Sequence, residues 1–206
     1  MKNLALGLVA PVLLLSACGQ VGVNNRVDIG ISTNDATSQV TVTKTVTAPV
    51  VDEKGNVTKP GSTTFSSGAS GPVRFIFTAR PGSDAAYITG YRITRYIING
   101  TDVTGKEVVE QKKMNLYVGS GFTCAERTAT DSCSANGTNL APANGLPSAE
   151  VAIDFASALI PVAQQIEGPA YSTVDLEFVG KSSNGASVVI PVSGIGSNAY
   201  FNLVNN

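Results

Sequence analysis

The side chains of this sequence that could carry chemistry are three cysteines and a few close pairs of carboxylates. Histidine is absent from all 206 residues. Without histidine the chain has no Ser-His-Asp or Cys-His nucleophile system and no imidazole ligand for zinc or copper. It also lacks a nucleophile elbow, a phosphate-binding glycine loop and an S-x-x-K pair. The sequence therefore predicts that the protein is not an enzyme, with no catalytic residues, no metal site and no cofactor.

The carboxylate pairs are the remaining candidates for acid–base chemistry. They are Asp52 with Glu53, Glu107 with Glu110, and Asp175 with Glu177. A glycosidase needs two carboxyl groups facing each other across a cleft, whereas alternation along a strand places Asp175 and Glu177 on a solvated face. Asp102 and Asp131 could offer oxygen ligands to calcium, but no D-x-D-x-D-G pattern accompanies them. We expect these carboxylates to lie on solvated surfaces.

The first cysteine follows a short apolar segment. Lys2 provides a positive charge, and residues 4–15 form a run that is too short to span a bilayer, which takes about 20 apolar residues. The run ends in Leu15-Ser16-Ala17-Cys18, which resembles the lipobox of bacterial lipoproteins. The resemblance implies that residues 1–17 are a cleaved signal peptide and that the thiol of Cys18 carries fatty acyl chains such as palmitate. The alternative interpretation is an ordinary secretory signal with a cysteine nearby.

Acylation of Cys18 would determine where the mature chain resides. Each buried CH₂ contributes about 0.8 kcal/mol, so two or more acyl chains form a stable anchor. Residues 18–26 are then a tether and residues 27–206 a single domain. Gly19 offers no retention signal, which favours the outer membrane over the outer face of the cytoplasmic membrane. The predicted location is the extracytoplasmic side of the cell envelope.

The other two cysteines form an even pair in a chain predicted to be exported, where disulfides persist. Cys124 and Cys133 are separated by the polar segment AERTATDS. Closing so short a loop stabilises a fold by roughly 2–3 kcal/mol on the chain-entropy model. A redox-active pair is the alternative, although such pairs usually have C-x-x-C spacing. We predict a structural disulfide between Cys124 and Cys133.

The charge balance limits the possible partners. The formal net charge is −1, and only 14% of residues are charged. Such a chain has no basic field to attract phosphates, so the sequence predicts no nucleic-acid partner and no electrostatic binding to anionic head groups. The expected partners are the membrane, through the lipid on Cys18, and other envelope proteins.

Hydrophobic alternation with a period of two dominates the mature chain. Valines and threonines alternate over residues 40–47, and residues 59–71 suggest an exposed loop or a weak edge strand. Further alternating runs cover residues 73–77, 89–99, 106–118, 151–155, 174–178 and 188–192, and residues 199–204 could add a final strand. Residues 157–167 have helical character, but Pro161 predicts a single turn or an irregular crossover. Short strands with frequent turn signals predict an all-β fold, an antiparallel β-sandwich.

Residues 72–192 resemble an immunoglobulin-like or fibronectin type III sandwich. Ile88-Thr89-Gly90-Tyr91-Arg92-Ile93-Thr94 is similar to the third strand of fibronectin type III modules. Tyr171-Ser172-Thr173-Val174-Asp175-Leu176, with the turn at residues 182–185, resembles their last hairpin. The chain has no tryptophan, whereas such modules usually bury one. The resemblance implies two antiparallel sheets packed face to face.

These expectations lead to two functional hypotheses. The first is a non-enzymatic, lipid-anchored envelope protein that acts as a structural or interaction module of a larger assembly. Such a module could recruit a partner strand at a sheet edge, and the strand over residues 39–48 is the candidate edge. The alternative is a solute- or polysaccharide-binding lipoprotein with a pocket at one loop end, formed by residues 125–147.

Overall fold

The computed structural model of this protein describes residues 27–104, 111–124, 140–142 and 148–205. Most of these residues lie in β-strands. The elements are β1 (Ile29–Thr33), β2 (Thr37–Thr47), β3 (Val50–Val51), β4 (Val57–Lys59), β5 (Ser62–Ser67), β6 (Val73–Ala79), β7 (Ala86–Ile98), β8 (Thr101–Asp102), β9 (Lys112–Val118), β10 (Phe122–Cys124), β11 (Leu140–Pro142), β12 (Ser148–Ile153), the 3₁₀ helix η1 (Ala156–Leu159), α1 (Ile160–Ile166), β13 (Ala170–Ser182) and β14 (Ser187–Asn205). The all-β class is confirmed.

The described strands form two main sheets and two small hairpins. The three-stranded sheet has the order β1-β6-β12, and the larger sheet has the order β5-β2-β14-β13-β7, with β8 and β9 both pairing with β7. Every pair is antiparallel except β2 with β14, which run parallel from Thr37 beside Gly196 to Val46 beside Asn205. The prediction of a purely antiparallel sandwich is therefore wrong at this pair. The chain leaves the small sheet at Thr33, where β1 ends, and joins the large sheet at Thr37. There β2 lies beside β14.

The two sheets pack through the side chains that the alternation placed on one face. Val73, Phe75 and Phe77 of β6 are fully buried, as is Phe178 of β13. The Phe178 ring lies edge-on to Phe75 and Phe77, with centroids 5.2 and 4.8 Å apart. Burying such a side chain contributes about 1.5–3 kcal/mol each. This cluster is the main core, and it confirms that the sheets pack face to face.

A second, smaller core lies under the helical segment. Leu159 and Ala163 pack against Val40, Val42 and Ala199 on the inner face of β2 and β14. Pro161 predicts a single turn or an irregular crossover in this segment, yet η1 is followed directly by α1, which continues to Ile166. Proline is accommodated because it lies in the first helical turn, where its missing N–H has no internal partner to lose.

The long strand β14 connects the two ends of the molecule. Its 19 residues extend to about 60 Å at roughly 3.3 Å per residue, and the strand expected separately over residues 199–204 is its continuation. At the end where β14 begins, the Asp28 N–H donates to Ser83 Oγ, and the Ser183 N–H donates to the Ala85 carbonyl. We call the opposite end the distal extension: residues 42–47 of β2, all of β5 and residues 201–205 of β14.

Candidate interaction surfaces

The strand that the sequence suggested as a free edge lies inside the large sheet. Over residues 37–46, β2 pairs with β14, and over residues 42–47 its other side pairs with β5. Gln39 also bridges to Gly71. Residues 39–48 therefore cannot receive a partner strand, and that prediction is wrong. The sequence missed this because an alternating pattern shows which side chains share a face but not which strands are neighbours.

On the β2 side, the edge of this sheet is β5, in the region where the sequence suggested an exposed loop or a weak edge strand. All six of its residues are exposed. The Gly68 N–H donates to the Thr41 carbonyl, and the register then pairs Ser66 with Thr43 and Thr64 with Thr45. In antiparallel pairing, hydrogen-bonded and non-hydrogen-bonded pairs alternate. The N–H and C=O groups of Thr63, Phe65 and Ser67 therefore point outward, where no other described strand lies.

The composition of β5 leaves this edge open. Ser62–Ser67 contains no charged residue and no proline, although lysine, proline and bulges are the devices that usually block association at sheet edges. Nothing in the strand itself repels an approaching backbone. The edge can therefore accept a further strand through main-chain hydrogen bonds.

One face of the distal extension carries a partly apolar row. Phe65 lies opposite Lys44 in the register of β5 and β2, and Leu203 lies beside Lys44 in β14. The side chains of Phe65 and Leu203 are 39% and 54% exposed. Lys44 Nζ lies 2.5 Å from Glu167 Oε2 and 6.0 Å from the centroid of the Phe65 ring. The only charge in the row is thus balanced by the residue that ends α1.

The opposite face of the large sheet is hydroxyl-rich near the same end. Thr41, Thr43 and Thr45 of β2 lie beside Tyr200, Asn202 and Val204 of β14. On the other side of β2, Thr43 and Thr45 lie beside Ser66 and Thr64 of β5. The resulting surface is polar and uncharged, as expected for a solvated sheet face.

A groove of about 470 Å³ lies between the two sheets on the side of β1. It is lined by β1, Arg80 and residues 190–195 of β14. β14 pairs with β2 only from Gly196 onward, so the preceding residues have no strand on that side in the described part of the chain. The groove therefore runs between two open strand edges and offers both apolar side chains and backbone polar groups.

The most connected carboxylate is Asp154, at the start of η1. Oδ1 accepts hydrogen bonds from the Ala156 N–H at 3.0 Å and from Ser38 Oγ at 3.2 Å, and Oδ2 accepts from Ser70 Oγ at 2.5 Å and from the Ser157 hydroxyl. Burial acts to raise the pKa of Asp154, but the hydrogen bonds from Ser157, Ser70 and Ser38 outweigh it, so the pKa is lowered. These contacts hold the helical segment onto β2.

The carboxylates considered from the sequence are dispersed. Asp175 accepts a hydrogen bond from the Gly194 N–H at 2.8 Å, and Glu177 pairs with Arg92 at 2.6 Å on a half-exposed face. Asp52 closes the β3–β4 turn, and Asp102 binds Thr104. Within the described ranges, no three His, Cys, Asp or Glu side chains come close enough to hold a metal ion. Glu107, Glu110 and Asp131 lie outside the described residues.

The cysteine predictions are not addressed by this structure. Cys18 and Cys133 lie outside the described residues, and Cys124 is described only by its backbone, which pairs with Leu140. Of the proposed pocket segment, residues 125–139 and 143–147 also lie outside. The lipid anchor, the disulfide and the loop-end pocket therefore remain predictions.

Comparison with known proteins adds no relationship. No protein-family model matches this chain, and no curated protein matches it. Among the residues that the structure describes, no helix has the length and hydrophobicity needed to cross a membrane.

Proposed function

We propose that this protein is a non-enzymatic, lipid-anchored module of the cell envelope that recruits a partner by strand addition. The anchor is the acylated Cys18, and the domain follows a tether over residues 18–26. The partner is another envelope protein that offers an extended segment, and nucleic acid is not a partner. This proposal places the domain on the extracytoplasmic side, at the outer membrane or at the outer face of the cytoplasmic membrane.

The domain itself is proposed to be an immunoglobulin-like sandwich. In such domains the first, second and fifth strands share one sheet, and the third, sixth and seventh share the other. The order β1-β6-β12 supports the first set, and the adjacency of β7, β13 and β14 supports the second. In this arrangement β7 occupies the position of the third strand, which the sequence likeness of residues 88–94 suggested.

The observation that carries the proposed function is the open, uncharged edge of β5 at the distal extension. Residues 27 and 28 lie at the opposite end, where β14 begins. The strand β5 is reached only after roughly 50 Å along β14, at about 3.3 Å per residue. A tether that leaves the domain before residue 27 therefore directs the β5 edge away from the membrane, where a partner can reach it.

Affinity capture with edge variants tests this function. Thr63→Pro removes an N–H that points outward and costs no internal hydrogen bond, and edge strands tolerate proline at such positions. The full-length tagged protein, solubilised from membranes in detergent, should retain an envelope partner that the Thr63→Pro variant loses. Capture of the same proteins by both forms, or of none by either, would contradict strand addition at β5.

Thr64→Pro is the matched variant for folding. Its N–H points inward to β2, so it should destabilise the β2–β5 pairing, with a loss of about 1–2 kcal/mol in the free energy of unfolding. Thr63→Pro should change that free energy by no more than about 0.5 kcal/mol. A Thr63→Pro protein as unstable as Thr64→Pro would show that the outward assignment of Thr63 is wrong.

The groove beside β1 supports a second candidate function, a solute- or polysaccharide-binding lipoprotein. Its volume of about 470 Å³ lies within the range of small-ligand sites, about 300–1,000 Å³. A thermal-shift screen against sugars, lipids and ions tests it, because a ligand that binds the folded state raises the apparent stability. Arg80→Ala, which changes the groove lining, should reduce any shift found.

A further inference from the structure

We propose that the partner strand accepted by β5 can be β5 of a second copy of this chain, in an antiparallel pair centred on Phe65. This inference rests on the proposed function, because it uses the same β5 edge. It identifies the strand that pairs with this edge. The pair would join two large sheets edge to edge across a two-fold axis.

The outward backbone groups are arranged symmetrically about Phe65. Thr63, Phe65 and Ser67 direct N–H and C=O groups away from β2, as the register with β2 and the Gly68–Thr41 hydrogen bond require. An antiparallel copy centred on Phe65 places Thr63 opposite Ser67 of the second copy and Phe65 opposite itself. Each such pair exchanges two hydrogen bonds, so the three pairs form about six. This register satisfies all three outward residues of both copies at once.

The side chains are compatible with the same register. On one face, the two Phe65 rings become neighbours, and Thr63 lies beside Ser67 of the second copy. On the other face, Thr64 lies beside Ser66 of the second copy. Aromatic pairs and Thr–Ser hydroxyl pairs are among the cross-strand contacts that stabilise sheets. Both ends of the pair are therefore hydroxyl-bearing, and its centre is aromatic.

Electrostatics does not oppose this pairing. β5 carries no charge, and the nearest lysine, Lys44, is paired with Glu167 of its own chain. Like charges therefore do not meet across the two-fold axis. A pair of six-residue strands buries less than the roughly 1,200 Å² of a stable interface, so self-association should be weak and dependent on protein concentration.

The two-fold axis lies perpendicular to the strands, which determines the shape of the dimer. Because β5 runs along the long direction of the large sheet, residues 27 of the two copies lie at opposite ends of the pair. The joined sheet presents a continuous row formed by Leu203, Lys44 and Phe65 from each copy. Two anchored copies can therefore pair when their tethers approach from opposite sides.

Directed disulfide cross-linking tests the register. Thr64 and Ser66 of the second copy form a non-hydrogen-bonded pair, in which Cα atoms lie about 4.5 Å apart, a distance that a disulfide can bridge. Thr64 of one copy lies diagonally across from Thr64 of the second copy, at about 7–8 Å. Full-length Thr64→Cys and Ser66→Cys proteins are oxidised alone and as a mixture, and mass spectrometry of the linked peptides identifies the joined cysteines.

We expect the link between positions 64 and 66 only in the mixture, with a yield that rises with protein concentration. Adding Thr63→Pro to both proteins removes two of the hydrogen bonds, each contributing a factor of about five, and should weaken association roughly 25-fold. The pairing would be overturned if the 64–66 link were absent or if Thr64→Cys alone gave the same yield of cross-linked dimer. It would also be overturned if Thr63→Pro had no effect on that yield. If the link is absent while Thr63→Pro still abolishes partner capture, only self-pairing is wrong. If neither effect is seen, the proposed function fails as well.

Discussion

Phe178 and Phe65 represent two different regions of the same sheet. Phe178 lies in the sandwich, where the three-stranded sheet covers it and its ring contacts Phe75 and Phe77. Phe65 lies in the distal extension, 39% exposed, with the ammonium group of Lys44 6.0 Å from its ring centroid. The same residue type thus stabilises the fold in one region and remains available for contact in the other.

The difference arises from what lies over each part of the large sheet. The small sheet covers the sandwich part, and the helical segment covers the middle through Leu159 and Ala163. At the distal extension, Leu203 remains about half exposed, as does Ile166 at the end of α1. Surface that contributes little to folding is free to be selected for binding, which is why the distal extension is the region to test.

The largest expected effect separates these two phenylalanines. Phe178→Ala should lower the free energy of unfolding by about 3–5 kcal/mol, because it removes a fully buried ring and leaves a cavity. Phe65→Ala should lower it by less than about 1 kcal/mol. Urea unfolding followed by far-UV circular dichroism measures both. Equal losses would mean that the distal extension belongs to the folding core.

A pair of glycines extends the comparison to backbone packing. A Cβ on Gly180, where β13 passes β7, would lie 2.1 Å from the Tyr87 carbonyl oxygen, whereas a Cβ on Gly68 would lie 3.9 Å from the Thr41 oxygen. Gly180→Ala should therefore cost about 1–3 kcal/mol, because the two strands must separate. Gly68→Ala, next to β5, should change stability by no more than about 0.5 kcal/mol. Thermal unfolding of the two variants provides the measurement, and a destabilised Gly68→Ala protein would contradict it.

The sequence predicted the faces of the strands better than their neighbours. Alternation over residues 73–77 places Val73, Phe75 and Phe77 on one face, and all three are buried. The turn at residues 182–185 joins β13 to β14, with Gly185 at φ +85°. Period-two alternation reports burial, and Gly185 supplies the positive φ that this tight hairpin needs. Local chemistry was sufficient for both.

The position of the open sheet edge could not be predicted from local sequence patterns. The strand over residues 39–48 reads as a regular edge, but β14 and β5 pair with its two sides. Ser62–Ser67, which reads as a loop or weak strand, is the edge instead. Which strand is outermost is set by long-range pairing, here by the parallel contact of β2 with the end of the chain. No signal within either segment could show it.

The smallest expected effect compares two aspartates that organise turns. The pKa of Asp154 is lowered because hydrogen bonds from Ser157, Ser70 and Ser38 outweigh the effect of burial, and the pKa of Asp52 is lowered by hydrogen bonds from Asn56 and Lys54. A carboxylate with a lowered folded pKa stabilises the fold above its unfolded pKa of 3.8, and this contribution is lost as the pH falls through the folded value. Both therefore lose stabilisation only in acid.

The two aspartates differ in what they hold together. Asp154 joins η1 to β2 beside the smaller core, so Asp154→Asn should lower the free energy of global unfolding by about 1 kcal/mol at pH 6, as loss of a helix cap does. Asp52 serves an exposed hairpin, so Asp52→Asn should have a smaller effect. Urea unfolding at pH 6 and at pH 3 measures both. The deficit of Asp154→Asn should shrink at pH 3, because this pH lies below the unfolded pKa of 3.8 and the stabilisation by the carboxylate declines there. A deficit that is the same at both pH values would show that Asp154 acts through packing and not through its charge.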